Sequence, residues 1–230
     1  MSFSGLVSVV CVSEFAKQQF LGRFPKLKVE SRVISNYIEF PRVIEIRGDS
    51  VPLYIGCVGF FHPDKNQLML VRALKIVREK GIDARVKFYG KAGSEVDRLY
   101  LDKLTSAIEG CGLGSYVSFE GYRPRECIYK SINVLVSTSL SEGFGKTILE
   151  GMAYGVPVIA FAGAGGPRDI IRHRHDGLLL ERYDDELLAG AIVELYENIE
   201  FSRKLSFQAR ERVLSDFSKE RFLEKISEIL

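Results

Sequence analysis

Short apolar runs alternate along this chain with longer stretches of helical period. The runs Val7–Val12, Ser31–Ile34, Leu53–Val58, Val86–Tyr89, Val117–Phe119, Val134–Val136, Pro157–Phe161 and Leu178–Leu180 are mostly continuous rather than alternating. Strands of that kind are covered on both faces, as in a parallel sheet. Between them, Leu70, Ala73, Leu74 and Val77 recur at i, i+3, i+4, i+7, and Gly81 predicts the end of that helix. Leu188, Ala191, Ile192 and Leu195 repeat the spacing. Ser218 predicts the cap of a last helix whose apolar face is Phe222, Leu223, Ile226 and Ile229. This rhythm predicts an α/β fold built as a doubly wound parallel sheet.

One stretch breaks the rhythm. Asn36–Val51 carries Pro41, Gly48 and Asp49 and mixes charges without a period, which reads as a linker. Only one β-α-β unit precedes it, from Val7 to Ile34. Such a unit cannot bury both faces of its strands by itself. It is therefore expected to be the last unit of a sheet whose body lies elsewhere. A complete domain follows the linker.

Composition narrows the classes. At ~150 residues per domain, 230 residues correspond to about one and a half domains. With 46% hydrophobic and 27% charged residues the chain is ordinary globular protein, neither disordered nor collagen-like. Lys plus Arg number 32 against 30 Asp plus Glu, a net charge of +2 that carries no electrostatic footprint for nucleic acid. Cys11, Cys57, Cys111 and Cys127 are too far apart for a redox or zinc CxxC pair and are expected as reduced thiols. No apolar run approaches the ~18 residues of a membrane span, and Met1-Ser2-Phe3-Ser4 opens no basic secretion signal. The expected compartment is the cytosol.

The strongest chemical signal is Ser141-Glu142-Gly143-Phe144-Gly145-Lys146-Thr147-Ile148-Leu149-Glu150, which follows the run Val134–Val136 and opens a helix to about Tyr154. In open α/β sheets, ligands bind beyond the carboxyl ends of strands. A helix start there offers unpaired N–H groups to an anion, and Gly143 and Gly145 permit close backbone approach. The segment reads as a phosphate cradle flanked by two carboxylates, or else as a capping loop with two solvated glutamates. Glu142 precedes the helix and Glu150 lies over one turn inside it, so the two do not share one atom. A carboxylate such as Glu150 can accept from a vicinal diol such as a ribose. A Walker A loop needs Gly where Leu140 stands, and a dinucleotide fingerprint needs Gly where Ile148 stands.

Glu-x7-Glu around Gly-Phe-Gly, followed by Leu149-Glu150-Gly151-Met152-Ala153-Tyr154-Gly155-Val156-Pro157, resembles the donor-binding half of retaining glycosyltransferases of the group 1 family, which have two Rossmann domains (the GT-B fold). Val10-Cys11-Val12-Ser13-Glu14, Val33-Ile34-Ser35-Asn36-Tyr37, Val58-Gly59 through Lys65, Val117-Ser118-Phe119-Glu120-Gly121 and Gly163-Ala164-Gly165-Gly166-Pro167 fit the same family in order. The resemblance runs nearly end to end. It implies a remnant of the N-terminal Rossmann domain at residues 1–38, a linker at 39–51, a nucleotide-sugar donor domain at 52–217 and a C-terminal crossover helix at 218–230.

Carried residue by residue, the resemblance puts Glu142 beside the transferred sugar as the catalytic carboxylate and Glu150 on the nucleotide ribose. The amides of Gly143, Phe144, Gly145, Lys146 and Thr147 would contact the sugar and diphosphate, and Lys65 the phosphates. Val117 and Phe119 would line the base pocket, while Gly59 and Gly90 would let backbone approach the nucleotide. The family often has Gly-Arg where this chain has Gly59-Phe60, which removes one cation; Lys146 would replace it in part. No Asp-x-Asp occurs, so the expected diphosphate is bound by cations and a helix dipole, with no metal and no cofactor beyond the nucleotide sugar itself. The resemblance implies a hexosyltransferase acting with retention, UDP-sugars favoured over GDP-sugars, and a glycan or lipid-linked acceptor in polysaccharide assembly. It also allows peripheral contact with the inner membrane face.

The alternative expectation is a non-catalytic nucleotide-sugar-binding subunit, or a truncated remnant, completed by a partner N-terminal domain. Apolar surface along Val7–Val12 and Phe222–Ile229 would then be covered by a partner chain or a second copy. The remaining polar clusters have plainer readings. His173, His175 and Asp176 are expected in a solvated loop rather than on a metal. Arg168, Arg172 and Arg174 are expected on a solvated helix face, and the Arg203–Arg212 helix at the surface. His62, at a strand end, stands near the expected donor.

Overall fold

The computed structural model describes residues 8–39 and 52–228. Val7, most of the linker (residues 40–51) and Ile229 lie outside the described residues. The described strands fall into two sheets, both wholly parallel. The small one pairs β1 (Ser8–Cys11) with β2 (Glu30–Val33) through α1 (Glu14–Arg23). The large one contains β3 (Leu53–Val58), β4 (Ala84–Tyr89), β5 (Val117–Gly121), β6 (Val134–Val136), β7 (Val158–Phe161) and β8 (Leu178–Leu180), in the order β5-β4-β3-β6-β7-β8. Each continuous apolar run in the sequence thus forms a strand. The crossovers are α2 (Gln67–Glu79), α3 (Glu95–Gly110), α4 (Arg125–Tyr129), α5 (Lys146–Ala153) and the short α6 (Pro167–Ile170), followed by α7 (Asp185–Glu197), α8 (Ile199–Asp216) and α9 (Lys219–Ser227).

The large sheet is covered on both sides, and its side chains alternate between two cores. Ile55, Val134, Val136, Ile159, Phe161, Leu178 and Leu180 face one core, with Leu70, Leu74 and Val77 of α2 and Leu188, Ile192 and Leu195 of α7. Leu135, Val158, Ala160 and Leu179 face the other, with Ile148, Leu149 and Met152 of α5 and Ala209 and Val213 of α8. Burying each such Leu or Ile contributes about 1.5–3 kcal/mol relative to exposure. The i, i+3, i+4, i+7 positions of α2 are all buried, as the spacing predicts.

The small unit is covered differently. Ser13 caps α1 by accepting from Ala16 N–H at 2.9 Å, yet α1 buries no residue. Val10 and Val12 are exposed at 47% and 36%. The last helix turns back to this unit. Ser218 caps α9, Tyr37 packs on Phe222 at 5.0 Å, and Arg32 donates to the carbonyl of Glu228. Ile38 N–H donates to the carbonyl of Phe217, and its side chain enters the second core. Leu223 of α9 remains 52% exposed. No helix among the described residues is long and apolar enough to cross a membrane.

Two polar readings are corrected. Arg172 and Arg174 follow α6 in a loop rather than sharing a helix face with Arg168, because the helix ends at Ile170. The three pair separately with Glu181, Asp216 and Glu194. Asp176 is not solvated. Its side chain is fully buried, accepts from Arg172 N–H at 2.6 Å, and meets the largely buried Arg212 of α8 at 3.0 Å. The Arg203–Arg212 segment therefore carries a structural ion pair, and Leu205, Ser206 and Ala209 are buried as well. Pattern alone missed this because the partners lie 36 positions apart.

Candidate functional site

The strand order sets where a ligand can enter. The chain builds β3, β4 and β5 outward in one direction, then returns to place β6 on the other side of β3. The loops leaving β3 and β6 diverge at that reversal and leave a crevice beyond their carboxyl ends. The loop after β3 carries Lys65, and the loop after β6 carries Glu142. Their side chains meet at 2.7 Å, both partly buried. The two loops are laced together: Thr138 Oγ1 donates to the carbonyl of Lys65 at 2.6 Å, and Leu140 N–H donates to the carbonyl of Asp64 at 2.7 Å.

Glu142 is held from the other side too. Its N–H donates to the carbonyl of Ala164, and its carbonyl accepts from Gly166 N–H. The chain then turns through Gly145, whose φ of +106° lies in the left-handed region that a β-carbon disfavours, and enters α5. No side chain caps this helix start. Its first amides and the positive end of its dipole therefore remain open to an anion next to Lys65 and Glu142. Lys146, the first helical residue, is exposed.

Glu150 lies one turn further in and is buried. Its Oε2 accepts from the Tyr129 phenol at 2.9 Å, and its Oε1 lies 3.8 Å from Arg125 Nη1. Burial and then the charge of Glu150 push the Tyr129 phenol well above its ordinary pKa, so it remains a hydrogen-bond donor. Tyr154 is pushed up to about 12 by burial and then by Glu126. The rings of Tyr129 and Tyr154 stack at 5.1 Å.

Other expected site residues are distributed unevenly. Gly59 and Gly90 directly follow β3 and β4. A β-carbon on Gly90 would stand 1.9 Å from the Gly59 carbonyl oxygen, so close packing of two strand ends already demands this glycine. Phe119 is 43% exposed and packs on Phe61 and Phe88 at 5.5 and 5.7 Å, with Phe60 exposed nearby in sequence to Phe61. Val117 is not brought to the crevice: it opens β5 at the end opposite Gly121, pairs with Val86, and packs on the core. The Phe144 side chain is buried and turns inward against Phe217, and its backbone packs against Gly166. Thr147 is half-buried, and its carbonyl lies 3.2 Å from the Tyr129 hydroxyl. His62 caps a short turn by accepting from Asp64 N–H.

Sequence reasoning missed Tyr129, Arg125 and Thr138. It also missed three contacts from the small unit: Ser13 Oγ donates to the carbonyl of Gly143, Glu14 N–H donates to Asp169, and Phe15 packs over Gly165. Only the order of a known family holds a hint of such pairs, since the partners lie 130 or more positions apart. Among the described residues, no three His, Cys, Asp or Glu side chains converge as a metal site. The four cysteines are free, and burial raises the Cys57 thiol to about 12, which keeps it inert.

Comparison with known proteins places the chain in a family. The sequence profile of Glycosyl transferases group 1 matches residues 45–212. The poly(ribitol-phosphate) alpha-N-acetylglucosaminyltransferase of Staphylococcus aureus (strain COL) is 29% identical over 173 residues, which cover 74% of this chain and 34% of that protein. A TarM variant from S. aureus, solved with fondaparinux, alpha-GlcNAc-glycerol and UDP, superposes with a TM-score of 0.80 at 26% identity, over 96% of this chain and 43% of that one. Anabaena HepE, solved with UDP and glucose, shares the fold with a TM-score of 0.86 at 21% identity, over 96% and 62%. The chain thus spans about a third of that curated relative.

Proposed function

The chain belongs to the group 1 glycosyltransferases, and on that premise we propose that it binds a nucleoside-diphosphate sugar in the crevice between the β3 and β6 loops and serves as the donor half of a sugar transfer. The observation that carries this reading is the 2.7 Å meeting of Lys65 and Glu142 at the reversal of strand order, beside the uncapped start of α5. Transfer breaks the bond between the anomeric carbon and the diphosphate and forms a new glycosidic bond to an acceptor oxygen. Negative charge grows on the departing diphosphate. Lys65, Lys146 and the α5 amides are the groups that meet it, and stabilisation of that kind is usually the largest single contribution to such a step.

In this reading Glu142 faces the transferred sugar and holds Lys65 in place. Glu150 accepts from the ribose, the backbone of Gly143 to Thr147 lines the sugar and phosphates, and Phe119 borders the base. The donor is a UDP-sugar in preference to a GDP-sugar, the transferred group a hexose, and the outcome retention. UDP in the S. aureus TarM structure supports the nucleotide. Residues 52–217 form the donor domain, and α9 ties it to the unit that ends the other domain.

The exposed Val10, Val12 and Leu223 favour a second reading. In it, this chain binds the donor, while further polypeptide covers these positions and supplies the acceptor site. Calorimetry with UDP and GDP, run beside a donor-hydrolysis and transfer assay, tests both. Donor binding that weakens about tenfold or more in Lys65→Ala is the expected result. Binding without transfer selects the second reading. No binding at millimolar nucleotide overturns both.

A further inference from the structure

Glu150 is the more buried carboxylate of the crevice, and it has a partner from another helix. We propose that Tyr129 is a positioning residue for Glu150: its phenol fixes one carboxylate oxygen, turns the other toward the crevice, and makes the site select a ribose cis-diol over a 2′-deoxyribose. This rests on the reading above that Glu150 faces the nucleotide ribose.

Tyr129 closes α4 and is buried. Its hydroxyl stands 2.9 Å from Glu150 Oε2 and 3.2 Å from the Thr147 carbonyl, two acceptors three positions apart on one side of α5. A phenol has one proton to give. The nearer, charged acceptor takes it, because hydrogen bonds to an ionised group are shorter and stronger. The ring cannot swing away. It stacks on Tyr154 at 29°, and both rings are buried. Oε1 is thereby left for a ligand: Arg125 Nη1 lies 3.8 Å from it, too far for a hydrogen bond, on a 43% exposed side chain that a ligand can displace.

Discrimination follows from the cost of burial. A fixed oxygen on a largely buried carboxylate that loses its hydroxyl partner is left poorly paired, so a site built to accept from a hydroxyl rejects the analogue without it. A glutamate free to rotate would find water instead and discriminate less. Tyr129 thus acts through Glu150 and touches no reacting atom.

Calorimetry on the whole chain with UDP and 2′-deoxy-UDP, and with GDP and 2′-deoxy-GDP, tests the proposal in the wild type, Tyr129→Phe and Glu150→Ala. Tyr129→Phe keeps the ring and its stack. The wild type is expected to prefer the ribonucleotide about tenfold. Tyr129→Phe should reduce that preference to about twofold by weakening the ribonucleotide alone, and Glu150→Ala should abolish it. The ratio of two affinities is unaffected by any unfolded fraction, so a merely structural role for Tyr129 would leave it unchanged. A Tyr129→Phe protein that keeps the full preference overturns the proposal, as does a wild type that binds both sugars equally. A wild type that binds none of the four nucleotides overturns the donor-site reading itself, and the proposal with it.

Discussion

Helices α1 and α2 both follow a parallel strand, but α1 buries none of its ten residues while α2 buries seven of thirteen. Both start with sound local chemistry. Ser13 caps α1 with its side chain, and α2 lacks even that, since Asn66 makes no side-chain cap bond. The difference is tertiary: β3 has strands on both flanks and its sheet has helices on both faces, whereas among the described residues β1 pairs with β2 alone. A capped helix on a two-stranded sheet finds little apolar surface within its own unit, so its apolar residues stay partly exposed. The less buried unit nevertheless reaches the larger one at Gly143, Asp169 and Gly165, through Ser13, Glu14 and Phe15.

The comparison can be broken by hydrogen exchange on the intact chain. Amides of β3 and β6 should exchange through global unfolding, and those of α1 through small openings. That separates their protection by a factor of about 1,000 or more; equal protection would mean that the two units fold as one. Ion pairs give the next contrast. Asp176→Ala strips Arg212 of a buried partner and should cost about 3–5 kcal/mol in denaturant unfolding. In the small unit, Glu30→Ala removes an exposed pair with Arg32 and should cost at most about 1 kcal/mol. Similar costs for both would erase the distinction between the regions.

The smallest expected effect concerns acid. Asp97 closes the capping box of α3, and the N–H bond from Gly93, then those from the Ser94 backbone and hydroxyl, hold its carboxyl below the usual range. A depressed folded pKa stabilises fully above the unfolded value of about 3.9 and fades as pH falls through the folded one. Melting temperature should therefore fall more steeply below about pH 4 in the wild type than in Asp97→Asn. Parallel curves would show that the box contributes nothing. The Ser13 cap of α1 has no such carboxylate at its third position, where Ala16 stands.

The eight apolar runs each became a strand, and α5 and α9 start beside Gly145 and Ser218 where the pattern places them. These features rest on local sterics and on burial that a continuous run already implies. Val117 shows the limit. The family resemblance puts it in the base pocket, but which end of a strand meets the ligand depends on chain direction within the sheet. Phe144 shows another. The loop that carries it is legible, but the inward turn of its ring depends on where Phe217 arrives from 73 positions away.

Sequence by itself determined that this protein is a parallel α/β sheet with a Gly-rich turn into α5 and two carboxylates around it, because strand, turn and cap chemistry are properties of neighbouring residues. Tertiary structure decided which of these groups meet. Lys65 joins Glu142 across 77 positions because β6 returns to the side of β3, and Tyr129 reaches Glu150 because α4 and α5 cover the same face. Pairing at such separations is set by strand order, and strand order is a global solution to burying both faces of one sheet.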